Sequence, residues 1–121
     1  MDISKAIAEL KKEPGFTDNV GMILVHNGVV RGWSRADRAG VSEIAINADL
    51  DKIEQIRSEI EKRPGIFRVL TKVNTGTFKP GDDVLFLIVA GDIRENVKSA
   101  LAELLDRVKA EAMHKNEVKI S

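Results

Sequence analysis

The sequence predicts an α+β domain, a mixed β-sheet with packed helices, and three observations carry that class. Val84 to Ala90 is an unbroken apolar run without charge, which reads as a strand buried on both faces. The segment after it, Asp92 to Ala112, sets Ile93, Val97, Ala100, Leu101, Leu104, Leu105, Val108 and Ala112 on one helical stripe. A helix-patterned segment lies between strands, yet consecutive strands also meet through short turns, which points to α+β. The central strand and the long helix make the predicted core.

Taken in order, Ile3 to Lys12 carries Ile3, Ala6, Ile7 and Leu10 at helical spacing and is closed by Pro14-Gly15. Val20 to His26 reads as a strand. Asn27-Gly28 after it is either a hairpin turn or a bulge past which Val29-Val30-Arg31 continues the strand. Gly32 to Gly40 is a polar, basic loop with Arg35 and Arg38, and Ser42 to Asn47 is a strand with Ile44 and Ile46 on one face. Asp49 caps a helix carrying Leu50, Ile53, Ile56 and Ile60, which ends at Pro64-Gly65. Ile66 to Val73 is a further strand, and Asn74-Thr75-Gly76 a polar turn. Pro80-Gly81 is a turn in which Pro presets φ and Gly accepts a positive one. Asp92 and Glu95 form a D-x-x-E capping box at the start of the long helix.

At 121 residues the chain is expected to form one domain, 1–121. Nineteen basic and nineteen acidic side chains cancel, so no global field draws nucleic acid or an anionic membrane. The absence of cysteine excludes disulfides, thiolate catalysis and Cys-based zinc sites. Two histidines far apart in sequence argue against a His-rich metal site, and no resident cofactor is expected. The apolar runs fall well short of the roughly 20 residues a membrane span needs. The amphipathic start MDISKAIAELKKE lacks a signal-peptide core, so the expected location is cytoplasmic.

Five motifs, in order, resemble the large, catalytic subunit family of molybdopterin synthase. Gly21-Met22-Ile23-Leu24-Val25 through Gly28-Val29-Val30-Arg31 is similar to that family's apolar strand ending in G-x-V-R. Gly76-Thr77-Phe78-Lys79-Pro80-Gly81-Asp82 matches its G-x-(apolar)-x-P-G-D turn. Arg94 sits where the family has the arginine of a His-Arg pair opening the last long helix. Asp106-Arg107-Val108-Lys109 resembles its D-x-L-K, and His114-Lys115-Asn116-Glu117 its W-K-(K/R)-E. The resemblance runs from about Val20 to Glu117. The chain departs from the pattern at Val73 and Asn74, where the family has its first His-Arg pair, and at Ile93 before Arg94. His114 replaces an aromatic, and the proline between the two lysines is missing.

The resemblance implies the large-subunit fold, α/β-hammerhead-like. It implies an activity in molybdenum cofactor biosynthesis: a cyclic pyranopterin monophosphate becomes molybdopterin. Sulfur comes from the C-terminal Gly-Gly thiocarboxylate of a ubiquitin-like small subunit, whose tail inserts near two lysines. It also implies a homodimer. The second reading left open is a catalytically degenerate member acting as a dimeric protein- or ligand-binding module.

Lys109 and Lys115 are the candidate catalytic residues. A lysine desolvated or set beside another cation acts as nucleophile or base, and a charged one stabilises a developing anion. Both are equally accounted for as solvated lysines near a helix C-terminus. In a continuous helix they would sit about 120° apart, so a shared pocket requires a break, expected near Ala112-Met113 where the apolar stripe runs out. Arg31, Arg38 and Arg94, with His114, are the candidate substrate-binding residues, since guanidinium binds phosphate in a bidentate way. Against this, Arg35 and Arg38 have the setting of wet loop residues, and Arg94 can pair with Asp92 or Glu95. His26 reads as a hydrogen-bonded structural histidine, and Trp33 reads either as a stacking partner for a pterin or a guanidinium or, equally well, as a partner-interface or partly buried anchor.

Overall fold

The computed structural model describes residues 1–120. Its elements are α1 (Ile3–Leu10), α2 (Phe16–Asn19), β1 (Met22–Val29), β2 (Val41–Ala48), α3 (Leu50–Glu61), β3 (Ile66–Val73), β4 (Gly76–Phe78), β5 (Asp83–Gly91), α4 (Arg94–Arg107) and β6 (Met113–Lys119). A π-helical turn, Val108–Ala112, links the last two.

The α+β class stands, and the sheet arrangement refines it. In place of one mixed sheet there are two three-stranded sheets, ordered β1-β5-β3 and β4-β2-β6, with antiparallel pairing throughout. The physical reason lies in the connections. Helix α3 carries the chain from β2 in one sheet to β3 in the other, so it never joins two neighbouring parallel strands.

Strand β5 is central, as its composition requires. Every residue from Val84 to Gly91 is buried, and one side of the strand meets the helices. Ile53, Ile56 and Ile60 of α3 and Val97, Ala100 and Leu104 of α4 pack with Val69, Leu85, Leu87 and Val89 of the first sheet. Ile44 and Ile46 of β2 join the same cluster, so one continuous core connects the two sheets. Leu101 and Leu105 are partly buried against it, whereas Ile93, expected on the same stripe, is exposed. On the other flank, Arg68 of β3 reaches Glu13 at 3.1 Å, and the Phe16 and Phe67 rings meet edge to face at 6.0 Å.

Local chemistry accounts for the boundaries. Asp49 Oδ1 accepts from the Lys52 N–H at 3.0 Å, the expected cap. At α4 the expected capping box does not form. Asp92 Oδ1 accepts instead from the adjacent Ile93 N–H and from Asn96 Nδ2, while Glu95 turns toward Arg94. Ile93 is the N-cap and makes no side-chain cap, because Asp92 stands one residue too early to reach the first turn. Asn27-Gly28 resolves as the bulge: β1 continues through Val29, with its register on β5 shifting between Gly28 and Val29. In the Pro80-Gly81 turn, Gly81 has φ 96° and donates to the Val30 carbonyl at 2.9 Å.

The predicted long helix runs to Ala112 and breaks there as expected, but its last turn is not α-helical. After Arg107 the hydrogen bonding widens to a π turn, and the chain then becomes β6, pairing along β2 from Ala48↔Met113 to Val41↔Lys119. MHKNEVK has no clean apolar alternation, which hides the strand from pattern reading. Its ladder with β2 supplies the order.

Candidate active site

The seam between the two sheets encloses a cavity of ≈ 820 Å³. Its wall from the first sheet carries His26, Gly28, Val30, Val84 and Leu85. The second sheet contributes Ile44, Ile46, Met113, Lys115 and Glu117. Arg31, Ser34 and Arg35 come from the β1–β2 loop, and Lys109 from the π turn. The size suits a small organic ligand.

The helix break is what brings the two lysines together. Lys109 projects from the π turn, and Lys115 lies on the strand that follows. In β6 side chains alternate, so Met113, Lys115 and Glu117 share the cavity face. His114 points the other way, exposed, at the position paired with Asn47. A π turn interrupting an α-helix is a recurrent feature of functional sites, and here it re-aims the chain by the amount that two lysines six residues apart require.

The loop is a built structure. Ser34 is buried; its N–H donates to the Ala39 carbonyl at 2.8 Å and its Oγ donates to Glu117 Oε1 at 3.0 Å. Trp33 is bridged to Gly40 and has the Arg31 guanidinium 4.6 Å and the Arg38 guanidinium 4.2 Å from its ring centre. Its partners are therefore guanidinium groups. Arg38 holds φ at 61°, a left-handed conformation that sets its side chain against the indole. Arg38 does not line the cavity and touches it only through this stack.

Electrostatically the cavity is a cluster of cations. Lys109 is exposed by surface area along its length, yet its pKa is lowered, first by burial around the ammonium and then by Lys115, Arg31 and Arg35, with Asp106 opposing. Glu117 is the one carboxylate lining the cavity among the described residues. The pKa of His26 is also lowered, first by burial and then by Lys109. Its Nε2 is closed off from solvent and has no hydrogen-bond partner, so the expected hydrogen-bonded structural histidine is not what the fold provides.

Arg94 lies elsewhere. It is exposed on the first turn of α4, with Glu95 at 3.7 Å. Val73 is buried at the end of β3, and Asn74 Nδ2 donates to the Asp83 carbonyl at 2.9 Å, so neither is a titratable group in the cavity. Among the described residues no group of three or more His, Asp or Glu is placed to hold a metal ion. Thus Lys109, Lys115 and Arg31 converge, joined by Arg35, while Arg38, Arg94 and His114 do not reach the cavity within one chain. Sequence reasoning undervalued His26 and Ser34. For His26 the signal was the period of two that aligns it with Gly28 and Val30, usable only once β1 is known to run past Asn27-Gly28.

Comparison with known proteins agrees with this fold. Molybdopterin synthase from Staphylococcus aureus superposes with a TM-score of 0.72 at 22% identity, covering 84% of this chain and 77% of that one. Molybdopterin cofactor biosynthesis protein E from Burkholderia multivorans gives 0.75 at 20% identity, covering 99% and 82%. A complex of subunits 1 and 2 of the molybdopterin-converting factor from Helicobacter pylori gives 0.71 at 14%, covering 98% and 80%. At such identities the likeness is one of fold. No curated protein matches the sequence significantly. The family model described as MoaE protein matches residues 1–111, and the chain belongs to that family.

Proposed function

We propose that this chain acts in molybdenum cofactor biosynthesis as a large-subunit-type sulfurtransferase. It moves sulfur from the thiocarboxylated C-terminus of a ubiquitin-like small subunit to a cyclic pyranopterin monophosphate. The observation that carries this reading is the convergence of Lys109 and Lys115 with Arg31 and Arg35 in one cavity. Family membership and the fold shared with molybdopterin synthase support it. The Helicobacter pylori neighbour, a complex of two subunits, supports a small-subunit partner.

In this reading the substrate phosphate meets the guanidinium groups of Arg31 and Arg35, which suit its planar oxygen pairs. Lys109, with its lowered pKa, supplies an amine at neutral pH more readily than a free lysine and acts as nucleophile or base. Lys115 stabilises the charge that develops as water cleaves the acyl–sulfur bond, leaving the sulfur on the pterin and the small subunit's C-terminus as a carboxylate. Arg38 acts through Trp33 in holding Arg31. Arg94 reaches a site only if a second copy presents it, and the proposed cytoplasmic homodimer is the arrangement in which it would do so.

One feature favours the second reading, a binding module without turnover. Neither family histidine position is a histidine, and Ile93, at one of them, is exposed on the surface. The deciding experiment supplies cyclic pyranopterin monophosphate and a thiocarboxylated small subunit and follows molybdopterin formation. Turnover is expected, with Lys109→Ala and Lys115→Ala each reducing it by about 10²-fold or more. Small-subunit binding without turnover in the wild type would establish the module instead. Light scattering at micromolar concentration should give the dimer mass.

A further inference from the structure

We propose that His26 is a ligand-binding residue of this cavity, hydrogen-bonding a phosphate-class anion and taking up a proton as that anion seats. The inference deepens the anion-site reading above and rests on it.

Four observations carry it. His26 lines the cavity, on the same β1 face as Gly28. No protein group hydrogen-bonds either ring nitrogen among the described residues; Nε2 is closed off against Gly28, so Nδ1 is the nitrogen open to a ligand in the cavity. An imidazole so placed completes its hydrogen bonding only with a group the protein does not supply. Third, the ring is seated closely: a Cβ built at Gly28 would come within 3.1 Å of Nε2, so glycine there makes room for it. Fourth, its charged neighbours are almost all of one sign. Lys109 faces it from the π turn, Arg31 and Arg35 from the loop, and Lys115 from β6, with Glu117 the opposing charge and Leu87 its apolar partner on β5.

That setting defines a coupled equilibrium. In the empty cavity both burial and the Lys109 charge disfavour imidazolium, and the pKa of His26 lies below 6.5. An anion among the cations reverses both conditions: it offsets their field and offers an acceptor for a ring N–H. The affinity of the cavity for an anion therefore rises as pH falls toward the pKa of the free protein, and binding carries a proton with it. A histidine at this place gives the chain a titrating group in a site whose other cations are lysine and arginine.

Sulfate is the probe, because it keeps its full charge across pH 5.5 to 8 and any proton taken up then belongs to the protein. Calorimetry in two buffers of different ionisation enthalpy counts that proton. NMR of the imidazole C–H resonances, with His114→Asn to simplify assignment, follows His26 directly. The expected result is proton uptake near pH 6 and an upward move of the His26 midpoint on adding sulfate. His26→Phe should abolish the uptake and weaken sulfate binding roughly tenfold at pH 6, with little change at pH 8. Sulfate binding that depends on Arg31 but not on His26, with no proton uptake, overturns this inference and leaves the proposed function standing. Absence of sulfate binding to the wild type overturns both. Circular dichroism of His26→Phe, with His26→Gln as second variant, separates either result from misfolding.

Discussion

Replacing Lys109 by methionine should make the protein more stable while removing its function. Methionine keeps the length of the apolar stem and deletes the ammonium. The charge it removes is repelled by Lys115, Arg31 and Arg35 and attracted by Asp106. Unit charges about 8 Å apart interact by about 0.5 kcal/mol in water, and solvent exposure of Lys109 argues for that dielectric rather than a lower one. Three repulsions set against one attraction leave about 1 kcal/mol at low ionic strength, or roughly 3–5 °C in Tm for a domain of this size. The sign with pH follows from linkage. Because the folded pKa of Lys109 is below 10.5, the unfolded chain binds more protons in the window beneath that value. The wild type therefore gains stability as pH rises through the window, and its deficit against Lys109→Met closes. Salt should close it too. The assay is thermal and urea unfolding in chloride buffers, since sulfate or phosphate would occupy the cavity. A variant no more stable than wild type at pH 7, with a difference indifferent to pH and salt, would refute the claim that these cations strain one another.

Three further outcomes are expected. Leu104→Ala should cost about 2–5 kcal/mol by urea unfolding, because Leu104 has 0% of its surface exposed in the core under β5. Glu117→Gln should bind sulfate several-fold more tightly by calorimetry: it deletes the carboxylate facing the cations, and the amide oxygen still accepts from Ser34. Asp92 has its pKa lowered by Asn96 and the Ile93 N–H, so it contributes stability above pH 3.8 that is lost as pH falls through the folded value. Asp92→Asn should flatten that part of the acid-unfolding profile.

Legibility in the sequence followed the strength of the local signal. The Val84–Ala90 core of β5 could be read directly, because burial on both faces leaves an unmistakable apolar run, and Ile66 to Val73 could be read from its apolar and β-branched residues bounded by turns. The cap at Asp49 was readable because an Asx side chain two or three residues from a free N–H has one good geometry. Asp92 failed the same test by one residue, a difference that D-x-x-E spacing cannot reveal. β6 was unreadable for another reason: a polar edge strand is held by backbone pairing to β2, and its side chains carry little pattern. The break before it was still legible as the end of the stripe at Ala112. The two lysines were therefore placed together correctly, but on a turn and a strand rather than on a helix end. Arg94 and His114 matched motif positions, and motif position does not say which face of an element a side chain takes.

The distribution of ion pairs argues that the cavity's charge is a designed feature of the chain and not leftover surface. Nineteen cations balance nineteen anions, and elsewhere among the described residues about half of the cations meet a carboxylate while the others stand apart on the surface. Arg57 meets Glu54 and Glu61, Arg107 meets Glu59 and Glu111, Arg63 meets Glu103, Arg68 meets Glu13, and Lys119 meets Asp37. Among the described residues none of Arg31, Arg35, Lys109 or Lys115 has a carboxylate within salt-bridge distance. Glu117, the one carboxylate on their cavity wall, accepts instead from Ser34. A chain with enough acids to neutralise every base thus leaves one concave surface unneutralised and places a helix-breaking turn so as to add a second lysine to it. Random surface placement would scatter such cations over convex, solvated ground, where they repel weakly. Here they are drawn together on one concave surface at a cost to stability, and an anionic ligand is what recovers that cost.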